Sequence, residues 1–414
     1  MNRPESPREP LTLLGGLSVE TFLRDYWQRR PLLIRGALPG FTGPLEPEEL
    51  AGLALEEDVE SRIIRELDEP PGWSLSHGPF TEAQFLAQPE SHWTLLVQGV
   101  NRHHPEVAAL LEPFRFLPDW RLDDIMVSYA APGGSVGPHT DQYDVFLLQG
   151  RGQRHWSIGH EPLSDDSAAL LPDLPLRILA EFDPDEDWVL EPGDMLYLPP
   201  GIPHHGVATE PCLTYSIGFR APTEEALLGG FIDDLLERID PDARLTDPGR
   251  LPLDNPGELD RPTRERVRAV LRRAVADDTA IDRWFGRFIT GPDHGEDIRP
   301  AEPINAAAIT ARLEAGEPLW RSEYGRFALL DEGEEAPRLY VDGREHPATV
   351  DTAPLARQLC AEREFTAADL RSALATPEGG DLLTALVNEG ALFFPEAGNA
   401  SGSGDHAEPP AEPL

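Results

Sequence analysis

Two short segments, GGSVGPHTDQYDVF at 133–146 and GDMLYLPPGIPHHG at 193–206, constrain this 414-residue chain more than its composition does. His139 and Asp141 lie two residues apart, so in a β-strand both side chains leave the same face and can grip one ion together. A third ligand must then come from a distant strand crossing the same barrel. The second segment offers His204, behind Gly193, Pro199 and Gly201, residues suited to tight strand turns. Its spacing selects His204 over His205, which alternation along a strand points away. A His-x-Asp by itself is common in surface turns; the second segment at fixed spacing gives it weight. Two imidazoles and one carboxylate on one face of an ion leave about three positions vacant, an arrangement of non-haem Fe(II) oxygenases rather than of structural zinc.

Such a site needs two electrons to cleave O2. 2-Oxoglutarate can supply them while chelating iron through its C1 carboxylate and keto oxygen, and its far carboxylate then needs a cation. In DVFLLQGRGQRHWSIG the candidates are Arg151 and Arg154. Gly150 and Gly152 predict a hairpin, with Arg151 in the exposed turn and Arg154 at the start of the returning strand. There a planar guanidinium can hold a carboxylate through two bonds. Upstream, RLDDIMVSYAAPGG reads as a strand in which Asp124, Met126 and Ser128 share one face. If that face points inward, Ser128 can hydrogen-bond the cosubstrate carboxylate and Asp124 can await a cationic substrate group. For Asp124 a strand-end cap or an exposed carboxylate is the competing reading.

The spacing Gly133–His139–Asp141 and the spacing Gly193–Pro199–Gly201–His204 match the two sequence motifs of the cupin β-barrels, with Asp141 where the first motif has its second histidine. Together with FLRDYWQRRPLLIRG, GGSVGPHTDQYDVFLLQGRGQRHW, EPGDMLYLPPGIPHHG, TYSIGFRAPT, IDRWFGRFI and LVNEGALFFPE, they make the chain resemble the JmjC-type 2-oxoglutarate oxygenases over nearly its whole length. The resemblance is specifically to the bacterial ribosomal oxygenases. It implies iron held by His139, Asp141 and His204, and 2-oxoglutarate held by Arg154 and Ser128. It further implies a substrate arginine met by Asp124 and Tyr143 and hydroxylated at C3, in the sixteenth protein of the large ribosomal subunit. A helical homodimer interface and a winged-helix domain are implied as well. The chain departs from the family at His205 and in a polar extension after Pro395. From the residues alone two other readings stand: a JmjC-type hydroxylase or demethylase acting on histidine or lysine, and a non-enzymatic metal-binding cupin sensor.

The expected fold class is α+β and multidomain. Residues 1–222 are expected to form a double-stranded β-helix of the JmjC/cupin type, with short strand-like runs punctuated by Gly, Pro and Asp. Ser18 is placed to cap a first helix carrying Phe22, Leu23, Tyr26 and Trp27 and ended by Pro31, with LLIRG as the first strand. Residues 223–295 are expected to be helical and dimerising, from the apolar periodicity of EEALLGGFIDDLLERI and RERVRAVLRRAV. The stripe Arg264, Arg268 and Arg272 reads as a solvated face. Residues 296–397 read as a small winged-helix-like domain, and 398–414 as a disordered acidic tail.

The formal net charge of −39 disfavours nucleic acid and favours a basic partner such as a ribosomal protein. The acidic DEGEE loop adds to the case against DNA. All 35 basic residues are arginine, which excludes Schiff-base and P-loop lysine chemistry. Cys212 and Cys360 suggest neither a zinc site nor a disulfide framework. With no secretory signal pattern and no apolar run long enough for a bilayer, the cytoplasm is the expected location.

Overall fold

The computed structural model describes residues 9–70, 72–164, 168–291, 299–333 and 336–395; the tail expected at 398–414 lies outside them. The chain divides into two compact units after Ala221.

Besides a short pair, Pro10–Leu11 with Leu17–Ser18, the described residues of the first unit form eleven strands in two larger sheets: β1 (Leu32–Ile34), β2 (Ser61–Glu66), β3 (Trp73–His77), β4 (Trp93–Val97), β5 (Leu122–Ala130), β6 (Asp144–Arg151), β7 (Arg154–Ile158), β8 (Glu186–Leu190), β9 (Met195–Leu198), β10 (His204–Ala208) and β11 (Cys212–Phe219). Eight form a major sheet in the order β1-β9-β6-β11-β5-β4-β2-β3, and three a minor sheet, β8-β7-β10. Alternation sorts their side chains. Phe146 and Leu148 of β6 join Leu213, Tyr215, Ile217 and Phe219 of β11 in a core shared with Phe22 of the first helix. Val145 and Leu147 face the other way and pack with Leu196, Leu198, Trp156, Ile158 and Leu190. Because both faces are covered, these strands read as near-continuous apolar runs. This is the β-rich first half of the expected α+β fold.

Three local expectations are corrected. The first helix spans Val19–Asp25 and is capped by Ser18, whose Oγ accepts from Thr21 N at 3.2 Å, but it stops well before Pro31. Tertiary contacts win there: Gln28 takes a left-handed φ of 57° and donates its backbone N–H to Tyr197 Oη at 2.8 Å. Second, Gly150 and Gly152 do not make a hairpin, since β6 belongs to the major sheet and β7 to the minor one. They mark the crossing between sheets, and Gly152 sits so close to Pro211 that a Cβ would lie 2.2 Å from its carbonyl oxygen. Third, His139 and Asp141 are not on a regular strand. Left-handed Gly133 and Gly137, with Pro132 and Pro138, break the ladder, leaving His139 on a single antiparallel bridge to His204.

In the second unit, helices Glu224–Arg238, Arg261–Ala274 and Asp278–Ile289 are capped by Thr223, Asp260 and Asp277, each accepting a backbone N–H three residues on. Two three-stranded sheets follow, one of Phe327–Leu330, Arg338–Val341 and Arg344–Pro347, the other of Glu364–Phe365, Leu319–Arg321 and Leu392–Phe393. Leu313, Leu319, Leu339, Leu359, Phe365 and Leu383 close one core beneath them. Helix Asp278–Ile289 packs on the first sheet through Gly286, where a Cβ would meet the Tyr340 ring at 2.5 Å.

Candidate metal centre and cosubstrate pocket

His139, Asp141 and His204 are brought together, with one ligand atom from each lying within 4.8 Å of the others. Among the described residues they are the one such group of three. Nδ1 of His139 is 2.9 Å from the Gly137 carbonyl, and Nδ1 of His204 is 2.9 Å from that of Ile202. With each Nδ1–H donating to a carbonyl, each Nε2 keeps its lone pair for an ion. Both Nε2 atoms face the Asp141 carboxylate, at 3.9 Å from Oδ1 for His139 and 3.6 Å from Oδ2 for His204. Burial, then the adjacent His139, push the His204 pKa down to about 4, so the ring is neutral at ordinary pH. His205 turns away, as alternation requires, with its Nε2 2.9 Å from Ser135 Oγ. The donor set, two imidazoles and one carboxylate, fits Fe(II).

Arg154 opens β7 and is only 3% exposed. Its Nη1 donates to Ser128 Oγ at 3.3 Å and its Nη2 to the Gly206 carbonyl at 3.2 Å, while Nε has no partner. Burial pulls this guanidinium below the usual arginine range. A buried cation with no carboxylate against it is costly, on the order of several kcal/mol, so its surroundings are suited to an anion. Arg151 is different: it is exposed and ion-paired with Glu46. Ser128 belongs to a polar row whose other members, Thr214 and Gln149, were not among the expected site residues. Ser128, Thr214 and Gln149 are register partners across β5, β11 and β6, and Thr214 Oγ1 donates to Gln149 Oε1 at 3.2 Å. Polar residues at inward positions of apolar strands were the available signal.

Asp124 is also buried, and its Oδ2 accepts from Gln98 Nε2 and Gly99 N, each at 2.7 Å. Oδ2 is thus committed to the protein. Tyr143 is half-buried; burial, then the charge of Asp141, hold its phenol above the usual tyrosine range, so it stays protonated. Over its ring, 5.6 Å from the centroid, lies the Arg220 guanidinium, which is paired with Asp123 at 2.7 Å. The sequence reading named neither Arg220 nor Gln98.

Comparison with known proteins follows the same division. A JmjC domain model matches residues 109–227, and a ROXA-like winged-helix model matches residues 273–393. The ribosomal protein uL16 3-hydroxylase of Escherichia coli is 40% identical over 384 residues, covering 91% of this chain and 98% of that protein. A probable ribosomal oxygenase of Haemophilus influenzae is 39% identical over 281 residues, covering 66% of this chain and 68% of its own length. The structure of the E. coli ribosomal oxygenase YcfD with cobalt and 2-oxoglutarate superposes with a TM-score of 0.80 at 37% identity, covering 91% of this chain and 98% of that one. The same enzyme with cobalt and succinic acid gives a TM-score of 0.79 at 38% identity, with the same coverage.

Proposed function

This chain belongs to the JmjC-type ribosomal oxygenases, and on that premise we propose that it hydroxylates C3 of an arginine side chain in large-subunit ribosomal protein uL16. It is a 2-oxoglutarate-dependent oxygenase. The residues that would hold its iron are His139, Asp141 and His204, and those that would hold 2-oxoglutarate are Arg154 and Ser128. When bound, iron and 2-oxoglutarate supply the oxidation of a C–H bond by O2, with succinate and CO2 as coproducts.

The observation that carries this reading is Arg154, a buried guanidinium with Nε unpartnered and no carboxylate in an ion pair with it among the described residues. A dicarboxylate with one end on the triad and the other on Arg154 would satisfy both sites. The protein's own work is orientation. Nδ1 bonds fix both imidazoles, Ser128 holds one edge of the Arg154 fork, and Val145, Leu147, Leu196 and Leu198 pack with Trp156 in one buried apolar cluster behind it. With Asp124 Oδ2 engaged by Gln98 and Gly99, Oδ1 is the atom left for a substrate cation. A guanidinium suits the site better than an ammonium, because its planar fork can meet a carboxylate edge.

A basic ribosomal protein also suits a chain of net charge −39. Residues 1–222 would carry the oxygenase domain, 223–295 the dimerising helices and 296–397 the winged helix, which we assign no DNA contact. The homodimer is supported by two helices. Arg261–Ala274 has no buried residue, which an isolated 14-residue helix in water does not sustain, and it exposes Val267, Val270 and Leu271 among six arginines. Glu224–Arg238 exposes Leu228, Ile232 and Leu236 beside Glu224, Glu225 and Glu237. Opposite charge around matching apolar stripes favours a second copy as the cover. No described helix is long and apolar enough to cross a membrane, and the cytoplasm, where ribosomal proteins are met, is the proposed location.

Incubating the protein with Fe(II), 2-oxoglutarate and uL16 should add one oxygen to a single arginine-containing peptide by mass spectrometry. Stoichiometric succinate release with uL16 unmodified would point to another substrate, and no succinate at all would favour a non-enzymatic role.

A further inference from the structure

We propose that the indole N–H of Trp156 is a further hydrogen-bond donor to bound 2-oxoglutarate, beside Arg154 and Ser128. The inference rests on the reading that Arg154 anchors the far carboxylate. On β7, Arg154 and Trp156 are two residues apart and so share the inward face. The Trp156 ring neighbours both Arg154 and the triad: its centroid is 5.0 Å from the Arg154 guanidinium carbon and 5.9 Å from the ring centroid of the iron-ligand candidate His204. A ligand that touches both the triad and Arg154 is therefore brought close to this indole.

The polar inventory points the same way. Trp156 is 4% exposed, and its Nε1 is buried without a hydrogen-bond partner, as is Arg154 Nε. An indole N–H donates and cannot accept, so it can be satisfied only by an acceptor. Two unpaired donors on neighbouring inward positions of one strand call for a ligand rich in acceptor oxygens, as a dicarboxylate keto acid is. The position opposite is held free of any side chain. Gly206 pairs with Trp156 across β7 and β10, and a Cβ there would lie 2.7 Å from Arg154 Nε and 2.7 Å from the Trp156 ring. Glycine at 206 lets the indole and the guanidinium occupy the pocket floor together.

The test separates the N–H from the ring. Trp156→Phe keeps an aromatic side chain and removes the donor. In protein loaded with Mn(II) without oxygen, the 2-oxoglutarate Kd should rise about tenfold, equivalent to ~1.4 kcal/mol, with Mn(II) affinity unchanged. The thermal midpoint without 2-oxoglutarate serves as the folding control, since the smaller ring also gives up buried packing. A Kd within twofold of the parent overturns the proposal. Arg154→Gln, measured alongside, tells which reading failed: if it weakens binding and Trp156→Phe does not, only the indole assignment falls; if neither weakens it, the anchor reading falls too. Should Trp156→Phe fail to fold, the unsubstituted protein loaded with Zn(II) gives the answer. Its Trp156 indole proton resonance should move downfield on adding 2-oxoglutarate, and an unmoved resonance overturns the proposal.

Discussion

His139 and His204 exchange both backbone hydrogen bonds, His139 N donating to His204 O at 3.0 Å and His204 N to His139 O at 2.9 Å. Each ring is then turned by the same device, an Nδ1 bond to the carbonyl two residues earlier, and the ring centroids come to 4.2 Å. A third backbone bond, Gly201 N to Asp141 O at 2.7 Å, ties the loop carrying the carboxylate to the same segment. The triad is positioned by main chain, which leaves little rotamer freedom to be lost when an ion arrives.

That arrangement predicts how the ligands fail. Asp141→Ala removes the only anion of the three and should abolish both iron retention and succinate formation, measured by metal content and by coupled assay. His205→Ala should leave metal content unchanged, because that ring bonds Ser135 rather than joining the triad. Iron lost from the His205 variant would reverse the choice of histidine.

The two arginines separated by the sheet crossing should behave oppositely. Arg154→Ala takes away the buried cation and should weaken apparent 2-oxoglutarate affinity by about 2 to 5 kcal/mol, more than an order of magnitude in KM. Arg151→Ala breaks only an exposed pair with Glu46 and should leave KM within about threefold. Steady-state kinetics varied in 2-oxoglutarate decide it; similar KM increases for both variants would rule out the assignment of the anchor.

A pH dependence follows from His204. Its folded pKa is depressed to about 4 by burial first and the charge of His139 second. The unfolded chain therefore takes up the proton earlier, so stability is fully present above about pH 6.5 and is lost as pH falls towards 4. At 1.36 kcal/mol per unit the loss for this one buried ring is roughly 3 kcal/mol. His205 is depressed in the same direction, and being half-buried adds less. Urea unfolding of the metal-free protein at pH 7 and pH 4.5 should show the drop, and His204→Gln should flatten it. An equally steep drop in that variant would assign the effect to other groups.

The triad was legible because its spacing is covalent information: two residues apart in one segment, and a Gly-Pro-Gly frame in the other. Arg154 was legible as the candidate anchor because a planar cation two residues beyond a glycine pair has few reasons to be there, and its burial fits that reading. What the sequence did not reveal depends on partners remote in the chain. Asp124 gave no sign that Gln98 and Gly99 would occupy its Oδ2. The sheet crossing at Gly150 to Gly152 looked like a hairpin because the same glycines serve both, and only the pairing of β7 with β8 and β10 distinguishes them. The first helix fell short of Pro31 because Tyr197, from a distant strand, accepts the Gln28 amide.

Asp124 also supplies the sharpest test of what enters the barrel. Asp124→Ala would orphan the Gly99 amide and Gln98 Nε2, an effect of roughly 1 to 3 kcal/mol on folding that would confuse the result. Asp124→Asn keeps an oxygen acceptor of the same shape and removes the charge that a substrate guanidinium would meet. If Asp124 and Tyr143 embrace that guanidinium, the Asn variant should lose most hydroxylation of an arginine-bearing uL16 peptide, with a higher peptide KM. Slow, peptide-independent consumption of 2-oxoglutarate should continue, because Arg154, Ser128 and the triad are untouched. Replacing the target arginine by lysine in the peptide should be poorly tolerated by the parent, since an ammonium lacks the planar fork. Both outputs are read on the same preparation, with the thermal midpoint as the folding control. Equal loss of both would move Asp124 into the structural support of the cosubstrate pocket, and full peptide hydroxylation would remove it from arginine recognition.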